Sequence, residues 1–278
     1  MDAPALAVVT HRAADARWEM VSRPPHAALA GLVRRYTAWD EWTAGPMRRR
    51  ELPSVDVPVI LNLGPPFRVR DADAPEAGAA RHRSFVAGLH DRAVVTEHPG
   101  ASRGIQADLT PIGARMLLGH PMHALAHRVV EIEDVLGPAG RLLVERLGAA
   151  DGWDDALRLL DAALIARAAR ARPPAADVAW AWRRLDDSAG RVGVRALADE
   201  IGCSPRHLQA RFRDEIGLAP KLAARIRRFE EAVALGEIAA RCGYYDQAHL
   251  ARDVTGLAGM APGALVARRL PDAGGVAG

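Results

Sequence analysis

Cysteine is scarce in this chain of 278 residues, which contains only Cys203 and Cys242. Two cysteines exclude a disulfide framework, and we expect small buried thiols in a reducing compartment. Aromatic residues are few, and no window approaches the roughly 20 apolar residues that span a bilayer. The N-terminal stretch also lacks the apolar core and cleavage site of a secretory signal. These absences predict a soluble, cytoplasmic protein with no membrane partner.

Lysine is almost absent as well, since Lys221 is the only one, and the net charge is only +3. The small basic excess lies between residues 191 and 270, whereas the rest of the chain is close to neutral. Phosphate neutralisation would use a basic C-terminal part, so this distribution favours nucleic acid as a partner.

Catalytic signatures are missing from the sequence. It shows no Ser/His/Asp order, phosphate-binding loop or dinucleotide fingerprint. We therefore predict no catalytic residues, no cofactor and no enzymatic activity.

Four histidines support one alternative. His123 and His127 are four residues apart on a predicted helix, and His90 and His98 flank a predicted strand. Neither pair has an evident third ligand, so we expect hydrogen-bonded histidines and no metal site. A metal-binding barrel, or an enzyme with an accessory DNA-binding module, is the competing hypothesis.

Residues 1–172 are predicted to form a β-rich sensor or dimerisation domain that ends in helices. From Leu52, short apolar runs alternate with turn residues, which is typical of an antiparallel sheet or small barrel. Residues 72–83 resemble an exposed loop. Before the sheet, the spacing of four apolar residues predicts an amphipathic turn or helix: Leu29, Leu32, Val33 and Tyr36.

The run RPPAAD at residues 172–177 breaks the helical pattern and is the predicted linker. Residues 173–270 then form the second predicted domain, and residues 271–278 a disordered tail. The expected fold class is α+β: an N-terminal, barrel-like β-rich domain with helices, followed by an all-α domain.

One helical pattern occurs twice in the all-α domain. The copies share the spacing of two apolar residues, a glycine and a proline: Leu208, Phe212, Gly217 and Pro220, then Leu250, Val254, Gly259 and Pro262. The apolar residues share one helical face, and glycine and proline end the helix. In each copy an alanine also precedes a turn glycine by four residues, Ala198 and Gly202 and then Ala239 and Gly243, which predicts two helix-turn-helix units.

The free face of each second helix carries polar side chains, at about 100° per residue. In the first unit these are Arg206, Gln209 and Arg213, and in the second Gln247, His249 and Arg252. Arginine and glutamine make bidentate contacts with guanine and adenine edges. These six residues are the predicted DNA-binding residues.

The run GCSPRHLQARFRDEIGLAPK resembles the first helix-turn-helix of AraC-type transcriptional regulators, and RCGYYDQAHLARD followed by G-x-x-P resembles the second. The resemblance covers roughly the last third of the chain. It implies that Arg206 and Gln209, then Gln247 and Arg252, reach into successive major grooves. Val254 stands where the family usually has phenylalanine.

The resemblance also implies a set of partners. These are double-stranded DNA, a small-molecule effector or a second copy of the chain at the N-terminal domain, and RNA polymerase if the protein activates transcription. No motif in the N-terminal half identifies effector residues. The predicted function is sequence-specific transcriptional regulation.

The segment between Pro220 and Gly243 is roughly eight residues shorter than in the relatives that it resembles. Eight helical residues span about 12 Å, a large part of the roughly 34 Å between successive major-groove faces. The linker helix is expected either to end near Leu235 with a turn at Gly236 or to fuse with the next helix. In both cases the second unit should contribute little base-specific binding.

Overall fold

The protein was analysed as a computed structural model that describes residues 6–235, 242–268 and 275–277. The first part of the chain consists mainly of strands. In chain order they are β1 Ala7–Arg12, β2 Ala16–Arg23, β3 Val33–Thr43, β4 Met47–Glu51, β5 Val57–Asn62, β6 Phe67–Asp71, β7 Ala80–His82, β8 Phe85–Ala87, β9 Val94–His98 and β10 Ala101–Leu109.

Helices dominate the remainder. In chain order they are α1 Pro111–Leu118, α2 Ile132–Leu136, α3 Pro138–Gly148, α4 Trp153–Ala168, α5 Ala176–Asp187, α6 Val194–Ile201, α7 Pro205–Ile216, α8 Pro220–Leu235, α9 Gln247–Ala258 and α10 Pro262–Arg268. Two short strands complete the fold, β11 Val129–Glu131 and β12 Gly275–Ala277. No helix in the described part of the chain combines the length and apolarity needed to cross a membrane.

The strands form two antiparallel sheets. One has the order β1-β2-β3-β10-β5-β8-β11, and the other has the order β12-β4-β9-β6-β7. Strand β5 lies inside the larger sheet and is buried at almost every position, which explains its continuous apolar run. The α+β class and the β-rich N-terminal part are confirmed, but the two sheets do not close into one barrel among the described strands.

Three local predictions in the N-terminal part need correction. Residues 27–29 form a 3-10 turn, which the turn alternative allowed, but Val33 and Tyr36 lie on strand β3, where both are buried. The predicted loop at 72–83 contains β7, which pairs with β6. His123 and His127 do not share a helix, because the 3-10 turn covers only Met122–Ala124 and His127 lies beyond it with a positive φ of 58°.

The expected boundary at 172/173 falls between α4 and α5 and stays a prediction. The apolar core crosses this boundary without interruption, since it includes Leu117 of α1, Met122, and Phe212 and Ile216 of α7. The first helix-turn-helix unit is therefore packed against the N-terminal part.

The C-terminal end also returns to the N-terminal part. Residues Gly275–Ala277, within the tail for which we expected disorder, pair with Arg49–Glu51 of β4 as β12. This pairing satisfies backbone groups that an edge strand would otherwise leave open. The rest of the tail lies outside the described residues.

Candidate nucleic-acid interface

The first unit consists of α6, a turn and α7. Gly202 ends α6 with a φ of 78°, a left-handed conformation that favours glycine. The side chain of Ser204 then caps α7 by accepting a hydrogen bond of 3.2 Å from the backbone of His207. A local sequence signal therefore fixes where the predicted reading helix begins.

One face of α7 is buried and the opposite face is exposed. Leu208, Phe212 and Ile216 are 0–1% exposed, and Phe212 packs against Trp182 of α5 with 6.4 Å between ring centroids. Arg206, Gln209 and Arg213 are exposed on the other side. The structure thus brings these three predicted residues onto one accessible face.

Arg211 of α7 differs from the other arginines of this helix. It forms an ion pair with Asp177 in the first turn of α5 and so belongs to the support of the helix. At its far end, α7 contacts the N-terminal part through Asp214, whose carboxylate lies 2.9 Å from Nδ1 of His123. Both contacts hold the helix while leaving its exposed face open.

The second unit repeats the local geometry of the first. Gly243 has a φ of 77°, and the Asp246 side chain caps α9 by accepting a 2.6 Å hydrogen bond from the backbone of His249. Helix α9 has 12 residues, as α7 has, and ends at Gly259 in a left-handed conformation. The sequence repeat therefore corresponds to a structural repeat that begins at the turn glycine.

The three predicted residues of α9 do not share one environment. Gln247 and Arg252 are exposed, but the His249 side chain is only 37% exposed. Its ring packs edge-on against Tyr244 at 5.1 Å, and its Nε2 lies 3.9 Å from Asp253. His249 thus packs inside its own unit, whereas the other two face outwards.

The linker helix α8 runs to Leu235. The expected turn at Gly236 and the first helix of the second unit fall outside the described residues, so the effect of the short linker stays a prediction. Helix α8 nevertheless packs against α7 of the first unit and α9 of the second. Arg228 also donates a 2.7 Å hydrogen bond to the carbonyl of Gly190, in the turn before α6, and Arg225 forms a 2.8 Å ion pair with Asp253.

Arg50 of β4 makes a contact with the second unit that was not predicted. Its Nη1 donates a 3.2 Å hydrogen bond to the carbonyl of Ala258, at the C-terminal end of α9. A cation at this end of a helix interacts favourably with the helix dipole. The β-rich part therefore holds the second unit directly.

The histidines of the competing hypothesis have other neighbours. His127 lies near Asp91, with 3.3 Å between Nδ1 and Oδ1, and His98 lies near Glu41, with 3.3 Å between Nε2 and Oε2. Burial lowers the pKa of His90. Within residues 6–235, 242–268 and 275–277, no group of three or more His, Cys, Asp or Glu is arranged to hold a metal ion.

A cavity of about 400 Å³ lies between the two sheets and α8. Trp39 and Phe85 contribute to its walls from the larger sheet and Phe67 from the smaller one, while Phe229 and Glu230 line it from α8. A space of this size suits a small organic molecule.

The acidic groups of this cavity have perturbed pKa values. Burial raises the pKa of Glu230 to about 7, although Ser54 and the Val55 backbone donate hydrogen bonds to its carboxylate. Burial likewise raises the pKa of Asp56 to about 6, although the ion pair with Arg34 acts to lower it. Glu230 and Asp56 were not predicted from the sequence, because only the tertiary fold brings them to the same cavity.

The family comparisons match two separate parts of the chain. A helix-turn-helix domain family matches residues 197–268, and a domain of unknown function, DUF6597, matches residues 21–131. No curated protein is significantly similar to the chain in sequence.

Two solved structures illustrate the wider similarity. ToxT from Vibrio cholerae is 8% identical, with 89% of this chain and 96% of that chain covered and a TM-score of 0.46. The AraC-like transcriptional activator CuxR is 14% identical, with coverage of 82% and 85% and a TM-score of 0.31. Both TM-scores are below 0.5, so neither similarity carries an argument about this chain.

Proposed function

The C-terminal part of this chain belongs to the AraC-type helix-turn-helix domains, and from that premise we propose that the protein binds double-stranded DNA sequence-specifically to regulate transcription. The observation that carries this proposal is the outer face of α7. Arg206, Gln209 and Arg213 are exposed there, opposite a completely buried face.

The chemistry of this face suits base reading. The residues near the N-terminus of a recognition helix contact base edges, and Arg206 and Gln209 lie in the first two turns of α7. Arginine can contact guanine O6 and N7 together, and glutamine can contact adenine N6 and N7. We assign base contacts to these two residues and a phosphate contact to Arg213, one turn further along.

The second unit has a weaker role in this proposal. Gln247 and Arg252 are exposed on α9 and available to DNA, whereas His249 is partly enclosed by Tyr244. The short segment before Gly243 limits how far the second unit can lie from the first. We therefore assign most of the base discrimination to α7 and a supporting role to α9.

The β-rich part is proposed to respond to a small effector. Its cavity is closed on one side by α8, the helix that contacts both helix-turn-helix units. A ligand in this space would touch the DNA-binding part directly, so its binding energy could change the position of α8. The residues of α8 that line the cavity are Phe229, Glu230, Val233 and Ala234.

The test begins with selection of bound duplexes from a random pool by the full chain. Arg206→Ala and Gln209→Ala should each weaken binding to the selected site by about 1–3 kcal/mol and relax preference at one base pair. Arg141→Ala, which removes an exposed arginine from α3, serves as the matched control and should leave binding unchanged. If neither α7 variant binds more weakly than the parent, α7 is not the reading helix.

A further inference from the structure

We propose that the cavity between the two sheets and α8 binds an organic cation, with an ammonium group held by carboxylates and an apolar body held by aromatic rings. This inference rests on the proposed effector role and specifies the class of effector. It follows from the walls of the cavity, the balance of charge around it and its contact with α8.

The apolar part of the wall is aromatic. Phe67 packs edge-on against Trp39 at 6.4 Å and against Phe85 at 6.2 Å between ring centroids. The indole nitrogen of Trp39 already donates a 2.7 Å hydrogen bond to Ser102. These rings therefore offer apolar surface and negative ring faces, which attract an alkylammonium ligand.

The polar part of the wall has more carboxylates than arginines, since Arg35, Arg49 and Arg92 face five acidic side chains: Glu41, Glu51, Asp56, Asp108 and Glu230. Arg92 lies 3.5 Å from Asp91, and Arg35 forms a 2.7 Å ion pair with Asp108. Arg49 donates 2.7 Å hydrogen bonds to both carboxylate oxygens of Glu41, and with His98 it holds the pKa of Glu41 low despite burial. Arg35 and Arg49 are therefore engaged by acids of the same cavity.

Glu51 and Glu230 are in a different position. Among the contacts of the described residues, neither has a cation within ion-pair distance, since Glu51 accepts a 3.0 Å hydrogen bond from Thr96 and Glu230 accepts one of 2.7 Å from Ser54. Burial raises the pKa of Glu51, and Asp108 adds to this effect while Arg49 opposes it. A partly buried carboxylate without a cation is costly, and an ammonium ligand would offset that cost.

The acidic groups also influence one another around the cavity. The charge of Asp108 raises the pKa values of Glu51 and Asp56, and the charge of Asp56 raises that of Glu230. Acidic groups from β4, β10, the segment before β5 and α8 therefore repel one another electrostatically. A positive ligand would relieve this repulsion, whereas an anion would increase it.

Glu230 gives the ligand a route to the DNA-binding part. It lies on α8 and accepts hydrogen bonds from Ser54 and from the Val55 backbone at 3.0 Å, which tie α8 to the β-rich part. Three residues before it, Arg227 forms a 2.9 Å ion pair with Asp186 of α5. An ammonium bound at Glu230 would therefore act on the helix that joins the two parts.

The proposal implies a dependence of binding on pH. Glu230 faces Ser54, the Val55 backbone, Asp56 and Arg227, and its pKa is about 7. Between pH 6 and pH 8 its carboxyl loses its proton, so an ammonium probe should bind more tightly at pH 8. A neutral probe should bind equally at both values.

The test uses three probes of equal chain length and different charge: octylammonium, octanol and octanoate. Calorimetric titration of the full chain at pH 8 should show octylammonium binding at least tenfold more tightly than octanol, with no octanoate binding. Equal affinity for the three probes, preference for octanoate, or no octylammonium binding would overturn the proposal.

Two variants and one control locate the binding site. Glu230→Gln and Glu51→Gln should each weaken octylammonium binding at least tenfold and leave octanol unchanged. Glu145→Gln removes an exposed carboxylate from α3 and should leave both unchanged. If both cavity variants retain parental octylammonium affinity, or if Glu145→Gln weakens it equally, the carboxylates of the cavity do not hold the ammonium group.

The effector role is measured separately, by the affinity for a selected duplex with and without saturating probe. Octylammonium binding that changes duplex affinity supports both the ligand class and the effector role. Octylammonium binding without such a change supports the ligand class and contradicts the effector role. Octanoate that binds and changes duplex affinity contradicts the ligand class and retains the effector role.

Discussion

The two helix-turn-helix units have the same local geometry but differ in the contacts that support them. Both have a left-handed turn glycine, a side-chain cap and a 12-residue second helix. Buried apolar residues of both units belong to one core, in which Phe212 of the first unit meets Trp182. In the second unit the corresponding position is the smaller Val254, and polar contacts from arginines add to the apolar packing.

The polar contacts of the second unit come mainly from three arginines. Arg50 reaches the end of α9, Arg225 pairs with Asp253, and Arg228 lies over the ring of Tyr244 at 5.9 Å. A repeated sequence pattern therefore specifies a repeated local shape, while the contacts around each copy differ. Partly exposed ion pairs contribute less than buried apolar side chains, so we expect the smaller Val254 to leave the second unit less firmly held.

The largest expected difference is in the stability lost on truncating Phe212 or Val254, the corresponding core positions of the two units. Phe212→Ala should lower the free energy of unfolding by about 3–5 kcal/mol, because it removes a fully buried ring. Val254→Ala removes far less buried volume and should cost about 2 kcal/mol or less. Urea denaturation of the full chain measures both.

Val266→Ala is the control for this pair, because Val266 is 62% exposed on α10 and its truncation should change stability by about 0.5 kcal/mol or less. An effect of Val254→Ala as large as that of Phe212→Ala would show that both units depend equally on apolar packing.

Sequence reasoning was most successful where local chemistry decides the structure. The helix ends at Gly217 and Gly259 were predicted from the repeated spacing, and both glycines have left-handed conformations. The exposed face of α7 follows from helical periodicity alone. Each of these features depends on only a few residues, which are close together in the sequence.

Sequence reasoning failed where distant residues decide the structure. Tyr36 lies on a strand, buried against α4, where its hydroxyl donates a 2.9 Å hydrogen bond to Asp161. The spacing of Tyr36 and its apolar neighbours also fits a helix. Only the contact with Asp161, which is distant in sequence, distinguishes a strand from a helix here. Arg50 and Glu230 were missed for the same reason, since their contacts lie 208 and 176 residues away in the chain.

The next difference should appear in DNA recognition. Arg206→Ala should weaken binding to a selected duplex by about 1–3 kcal/mol, whereas Arg252→Ala should have little effect on base preference. The reason is the short segment before Gly243, which is expected to bring the second unit too close for a second major groove. Inserting about eight residues after Leu235 should strengthen binding.

This prediction is checked by fluorescence anisotropy over a salt series, so that loss of a phosphate contact is distinguished from loss of base reading. Equal damage from the two alanine variants, together with no gain from the insertion, would show that both units bind successive grooves.

An effect of similar size should come from α8, the helix that packs against both units. The pKa of Glu230 is raised to about 7 in the folded protein, so the native state binds more protons than the unfolded state between roughly pH 4.3 and pH 7. The contribution of Glu230 to stability is complete below this window and is lost as pH rises through it. Relative to Glu230→Gln, the parent should therefore lose on the order of 1–3 kcal/mol between pH 4.5 and pH 8.

Urea denaturation at several pH values measures this difference, and Glu145→Gln provides a control carboxyl that is exposed in the folded chain. A parent and a Glu230→Gln variant with parallel pH profiles would mean that Glu230 titrates as it does in the unfolded chain.

The smallest expected effect concerns the contact between β4 and α9. Arg50→Ala removes the hydrogen bond to the Ala258 carbonyl and the cation at the end of α9, which together should be worth about 1 kcal/mol. Because this contact supports only the second unit, amide exchange should accelerate in α9 and stay unchanged in α7. Arg50→Lys keeps the charge and should restore part of the protection, whereas Arg81→Ala on exposed β7 should change neither helix. Equal acceleration in α7 and α9 would show that the two units open together, in which case their different support would have no consequence for their motion.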